Sequence, residues 1–253
     1  AGVAAMCASG RHGPTRVAAG IVGFADLTLG ESVQPVLEAL QLAAGGRLSG
    51  VRHSAGWGDD PTIGNSHHGG GPGLYLRPEF RAGLARLTAL GLSLDAWLYH
   101  PQLDDLVDLA RACPDANIIM NHTGGMLGYG VYNGQRDDCF AKLRTSLAAL
   151  AQCPNVTMKL GGMMMRLACI DYHNLPSPPP SAELAEQWRP NIETCIELFG
   201  VERCMFESNF PVDKMGIGYR SLWNAFKHIT AQASADERAA LFAGTARRVY
   251  KLP

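Results

Sequence analysis

Six short apolar runs alternate with amphipathic segments along this chain, and no other feature narrows the choice of fold as far. The runs cover residues 17–24, 48–54, 93–99, 117–122, 156–161 and 203–208. Between them lie segments with helical periodicity, over 32–44, 78–90, 101–113, 135–151 and 181–199. The first of these carries Val33, Val36, Leu37 and Leu40 on one face and stops at Gly45-Gly46. Pro78 stands at the first turn of the second and Gly91 just past its end, and Gly200 closes the last. Ser234 and Glu237 form a capping box, and Thr245 is expected to cap a final segment ending in Tyr250 and Leu252. Strand–helix alternation of this kind implies parallel βαβ units, and therefore a doubly wound sheet or a (β/α) barrel.

Polar residues decide between the two. They recur where the runs end: Arg52 and His53, Tyr99 and His100, Asn121 and His122, Lys159, then Glu207 and Asn209. A barrel gathers all of its strand ends at one mouth, whereas an open sheet gathers only those at its switch point. The expectation is an α/β chain of the (β/α)8 TIM-barrel type, with residues 1–253 forming one domain that holds about six of the eight βα units. Two N-terminal strands are expected to lie outside it, because six strands do not close an eight-stranded barrel and the chain opens with Ala1 inside a small-residue helical run.

Composition excludes other classes of partner. Lys and Arg number 22 against 23 Asp and Glu, and no basic block appears, so a phosphate backbone finds no counter-charge here. Apolar runs are strand-sized, well short of the roughly 20 residues needed to span a bilayer. Seven cysteines, an odd number with no CxxC pair, sit mostly in apolar surroundings, which fits reduced thiols and a cytoplasmic setting. The expected partner is a small-molecule substrate, with a homo-oligomer left open.

Alternation also sorts the candidate site residues by face. Ile118, Met120 and His122 share one parity, and the two glycines after His122 allow close approach to the backbone, which suits metal ligation or proton transfer. Met205, Glu207 and Asn209 share another; Glu207 reads equally as a catalytic base and as the ion-pair partner of Lys159 or Arg52. Lys159 reads as an anion clamp or an ion pair before a base, and the planar fork of Arg52 suits a carboxylate or carbonyl. His53 is expected to face the helices. Along 93–99 parity leaves open whether Asp95, Trp97 and Tyr99 or the alternate residues face inward. His67-His68 reads as a surface loop, and Met163-Met164-Met165 as packing under a loop.

Several segments taken together resemble the amidohydrolase-related TIM-barrel hydrolases, the group with sugar lactonases, 2-pyrone-4,6-dicarboxylate lactonase and related decarboxylases. They are Gly50-Val-Arg, Asn121-His-Thr-Gly-Gly, Asn155-Val-Thr-Met-Lys-Leu-Gly-Gly, Phe206-Glu-Ser-Asn-Phe-Pro-Val and Gly244-Thr-Ala-Arg-Arg-Val-Tyr-Lys-Leu. The resemblance implies that His122 matches the mid-barrel His, a metal ligand, and that Asn209 stands where many members carry Asp. It further implies one divalent metal, zinc or similar, in the full-length protein. The family's first-strand His-x-His pair has no counterpart in the chain, and an amide is a weaker ligand than a carboxylate, so metal-independent action is the alternative. The expected activity is hydrolysis of a lactone or carboxylic ester of a small carboxylated or sugar-derived substrate. His122, Glu207 and Asn209 would be catalytic, and Arg52, Tyr99, His100 and Lys159 would bind substrate. A decarboxylase on the same scaffold and a non-catalytic binding barrel are the competing expectations.

Overall fold

A computed structural model describes residues 2–11, 13–15, 17–66, 71–165, 172 and 175–253. Six strands form one parallel sheet: β1 (Ile21–Gly23), β2 (Leu48–Ser54), β3 (Ser93–Trp97), β4 (Ile118–Met120), β5 (Val156–Leu160) and β6 (Cys204–Phe206). They lie side by side in chain order, each paired only with its sequence neighbours. Each strand returns to the sheet through the helices between them: α2 (Gln34–Ala43), α3 (Pro78–Ala89), α4 (Leu103–Ala112), α5 (Arg136–Ala151) and α6 (Ser181–Phe199). A short α1 (Gly2–Ala8) precedes the sheet, and α7 (Tyr219–Ile229), α8 (Ala235–Ala239) and α9 (Thr245–Val249) follow it. The sheet curls into part of a (β/α) barrel.

The pleat separates two chemistries. Val51, Leu94, Ala96, Ile118, Met120, Val156, Met158, Leu160, Cys204 and Phe206 point to the helices and form the main core with them. Residues of the other parity face the hollow of the curl, where Arg52, Asp95 and Ile119 are paired in register. That register settles strand β3: Asp95 and Trp97 lie on the hollow side. His53, on the helix side, accepts a hydrogen bond at Nδ1 from Leu27 N (3.2 Å) and packs against Phe24 and Phe80.

Two expectations shift. The first strand is Ile21–Gly23 alone, because the carbonyls of Val17 and Ala18 turn to accept from Arg47 Nη1 at 2.9 and 3.2 Å. Thr245 begins α9 without capping it; its hydroxyl donates instead to Val201 O (3.1 Å), and a π-helical turn leads into it. Met163, Met164 and Met165 pack against the core clusters. The capping box of Ser234 and Glu237 forms as expected. The six described cysteines are free thiols, and among the described residues no helix is long and apolar enough to cross a membrane. His67 and His68 lie outside the described residues.

Candidate functional site

Strands two apart in a flat sheet are separated by roughly 9.5 Å, twice the interstrand spacing. Curling brings their hollow-side residues together, and three contacts here each skip one strand. Arg52 on β2 meets Asn121 at the end of β4, Asp95 on β3 meets Lys159 on β5, and His122 after β4 meets Glu207 after β6.

Lys159 Nζ lies 2.6 Å from Asp95 Oδ2, with Ile119 of β4 paired alongside Asp95. Both oxygens of Asp95 also accept from the Tyr250 hydroxyl, at 3.0 and 2.9 Å, and the Tyr250 ring lies beneath the Lys159 ammonium. Asp95 is 1% exposed, so its charge is stable only because these donors surround it. The expected ion pair between Glu207 and Lys159 therefore does not form. Lys159 leans back toward the deeper carboxylate, while Glu207 sits beyond the strand end and turns to the loop after β4.

There Glu207 Oε1 lies 2.5 Å from His122 Nδ1 and also accepts from His122 N at 3.2 Å. Burial pushes the Glu207 carboxyl up, but His122, Lys159 and Arg52 outweigh it and bring it down to about 2. Glu207 is an ionised acceptor at neutral pH and a poor base. The Nε2 atom of His122 makes no hydrogen bond among the described residues, and the Trp97 ring stands edge-on to the imidazole at 4.6 Å.

Backbone strain concentrates here. His122, Thr123 and Asn209 have φ of 58°, 54° and 50°, a region that costs non-glycine residues on the order of 1–3 kcal/mol each. Thr123 is held by reciprocal bonds, its hydroxyl donating to Gly161 O (2.9 Å) and accepting from Gly161 N (3.0 Å). The two glycines that follow β5 make room for the pair. A Cβ on Gly161 would lie 2.6 Å from Glu207 Cγ, and one on Gly162 would lie 2.7 Å from His122 Cβ. Gly162→Ala should therefore displace the imidazole from Glu207 and cost about 2–4 kcal/mol, combining a clash with its φ of 69°. A thermal melt within a degree of the parent would contradict this.

Asn209 does not face His122 through its amide nitrogen; Nδ2 donates to Asp213 Oδ1 at 2.8 Å. Burial raises the Asp213 carboxyl to about 7, against the lowering by Asn209 and Met164 N, with Glu207 adding to the rise. Tyr250 carried no signal in the sequence beyond its place in the closing motif, and Asp213 follows directly on the motif that holds Glu207 and Asn209. Tyr99 and His100 stay away from the hollow. Tyr99 packs with Ile63, Trp97 and Leu127. His100 accepts from Leu127 N at Nδ1 (3.1 Å), which pins the loop beyond β4, and burial assisted by Lys142 lowers it to about 4, so it is neutral.

Among the described residues no three His, Cys, Asp or Glu side chains converge in a way that could hold a metal ion. Glu207 holds Nδ1 of the expected ligand His122 and leaves Nε2 open, and Asp213 takes Nδ2 of Asn209 and leaves Oδ1 open. These two donors are fewer than the three or more protein ligands of a zinc site, so the described residues by themselves do not fit the metal that the resemblance implies.

A cavity of about 720 Å³ opens on the hollow side, lined by Val22, Phe24, Arg52, Ser54, Asp95 and Lys159 among others. It suits a small organic molecule.

Comparison with known proteins agrees with the fold and narrows the lineage. The protein y4mH of Sinorhizobium fredii is 36% identical over 233 residues, covering 92% of this chain and 70% of its own. L-fucono-1,5-lactonase of Burkholderia multivorans is 29% identical over 245 residues, covering 94% and 73%. The crystal structure of a Burkholderia multivorans amidohydrolase with bound zinc superposes with a TM-score of 0.75 at 25% identity, over 94% of this chain and 75% of that one. The amidohydrolase family model matches residues 15–252, and the chain belongs to that family.

Proposed function

We propose that the protein hydrolyses a lactone or carboxylic ester bond in a small carboxylated or sugar-derived molecule. The buried His122–Glu207 pair at the strand ends carries this reading, and the similarity to L-fucono-1,5-lactonase supports the bond type. Glu207, ionised, accepts Nδ1–H of His122 and leaves Nε2 unprotonated. Nε2 then takes a proton from water as the water oxygen bonds to the carbonyl carbon. When the carbonyl re-forms and the carbon–oxygen bond to the leaving alcohol breaks, His122 returns that proton to the departing oxygen. Glu207 steadies the imidazolium between the two steps. Asn209 is the third catalytic residue. Asp213 takes its N–H group, which leaves its carbonyl oxygen to orient the water. Arg52 and Lys159 form the substrate wall, and no step passes through a metal.

The test is a pH-indicator screen of sugar 1,4- and 1,5-lactones and simple carboxylic esters with the parent protein and His122→Ala. At least one lactone class should release acid, and His122→Ala should lower turnover by about 100-fold or more. Acid release that survives His122→Ala, or none from any substrate, would sink the reading.

A further inference from the structure

The opposite end of the strands holds a second cavity, of about 380 Å³, where the loops before β4, β5 and β6 meet the end of α9. Its lining includes Asn117, Asn155, Thr157, Arg203, Arg248 and Lys251, and it shares no residue with the cavity on the hollow side. The sequence has no basic block, yet the fold gathers three cations here. Arg203 donates to the carbonyls of Phe199, Cys153, Val156 and Ala151 at 3.2, 3.0, 3.4 and 2.9 Å. Arg248 donates through Nη2 to Glu202 O, and Lys251 through Nζ to Gly91 O at 2.9 Å. A carbonyl fixes a cation without cancelling its charge. Arg203 moreover occupies the end carbonyls of α5 and α6, which would otherwise repel an anion. Nε and Nη1 of Arg248 and the other Nζ protons of Lys251 have no acceptor among the described residues. Asp115, the carboxylate in the lining, is exposed and in no ion pair among the described residues, so the cavity stays positive. Thr157, deeper in, is 6% exposed, and its hydroxyl has no partner among the described residues. Trp223 Nε1 is the one side-chain atom there both sealed and unpartnered, so the Thr157 oxygen touches open space, and the space it lines is this cavity.

We propose that this lower cavity binds a phosphate group, free or carried by a small phosphomonoester. The Thr157 hydroxyl donates to one oxygen, and Arg248 and Lys251 hold the charge, with Arg203 behind them. The donors come from β5, from the loop before β6 and from the end of α9, and they do not share a plane. A planar carboxylate is served by a single fork, whereas a tetrahedral group with several charged oxygens answers a set spread over three elements. Pro114, Ala116, Pro154 and Val249 give apolar wall to a carbon substituent. The proposal is independent of the hydrolase reading, because the ligand enters at the starts of the strands and away from His122. It also bears on the turn that carries Tyr250. Val249 and Lys251 flank that residue, and Asn117 Nδ2 donates to Val249 O at 3.1 Å. A phosphate held by Lys251 steadies the turn whose tyrosine bonds Asp95.

Four probes test it by isothermal titration at low salt and neutral pH: inorganic phosphate, glycerol 3-phosphate, glycerol and acetate. At least one of the two phosphates should bind with a Kd of roughly millimolar order or tighter, and glycerol and acetate at least about 10-fold more weakly. Glycerol 3-phosphate binding about 3-fold or more tighter than inorganic phosphate marks a phosphomonoester as the occupant, and equal or weaker binding marks the free ion. Thr157→Val should weaken the phosphate about 10-fold, while the melting temperature of the free protein holds or rises, because an unpaired hydroxyl gives way to a methyl of the same shape. Arg248→Gln with Lys251→Gln changes two exposed side chains, so the fold should persist while binding is lost. Acetate binding as tightly as either phosphate, or phosphate binding unchanged in the folded Arg248→Gln, Lys251→Gln protein, overturns the proposal. So does phosphate binding that disappears in Arg52→Gln instead, which would put the anion on the hollow side.

Discussion

Glu207→Gln should lower turnover by about 100-fold or more on any substrate that the lactone screen identifies, with the sheet intact. A glutamine oxygen can still accept from His122 Nδ1, so the ring keeps its place. It offers no negative charge to steady an imidazolium, and the proton taken from water has nowhere stable to rest. A second readout comes from pH. The Glu207 carboxyl is depressed from 4.5 to about 2 in the folded chain. A depressed carboxyl stabilises the fold fully above its unfolded value, and that contribution disappears as pH falls through the folded value. The parent should therefore lose on the order of 3 kcal/mol between about pH 4.5 and 2 from this group alone. Glu207→Gln should lack that part of the acid transition. Turnover within a few fold of the parent would remove Glu207 from the chemistry and leave it a structural acceptor.

Asp95→Asn should cost about 3–5 kcal/mol, because it strands the Lys159 ammonium in a nearly dry place. The matched double change Asp95→Leu with Lys159→Met should recover most of that loss, since a buried ion pair replaced by apolar groups of similar size is often neutral in stability. Urea midpoints at neutral pH give both numbers, with coupling read from the double-mutant cycle. Additive losses would mean that Asp95 and Lys159 do not depend on each other, contrary to their 2.6 Å separation.

Much of the scaffold could be read from the chain because strand and helix periodicities are local properties. Val51 and Val156 had to face helices, and Arg52 and Lys159 had to face away from them, wherever the strands came to lie. Choice of partner was not local. Lys159 could have met Glu207 or Asp95 on parity alone; the answer depends on the depth of each along its strand and on the curl, which bring β3 to β5 across β4. Asp95 was left undecided because its strand is buried on both faces, so apolar and polar positions did not separate cleanly. Tyr250 lies 155 residues from the carboxylate it bonds, beyond the reach of any pattern. Tyr99 and His100 carried the right chemistry at the right strand end, yet the chain turns there and buries them in the loop cluster.

The bond from Tyr250 to Asp95 ties two residues 155 positions apart into one buried site. The phenol hydroxyl arrives from the C-cap of α9 and completes the shell of an aspartate laid down in the third strand. During synthesis, the Asp95–Lys159 pair thus waits for its remaining donor until Tyr250, 155 residues downstream of Asp95, has been made. The buried carboxylate is accordingly completed long after its own strand is made, and a chain cut before Tyr250 would keep the Asp95–Lys159 pair one donor short.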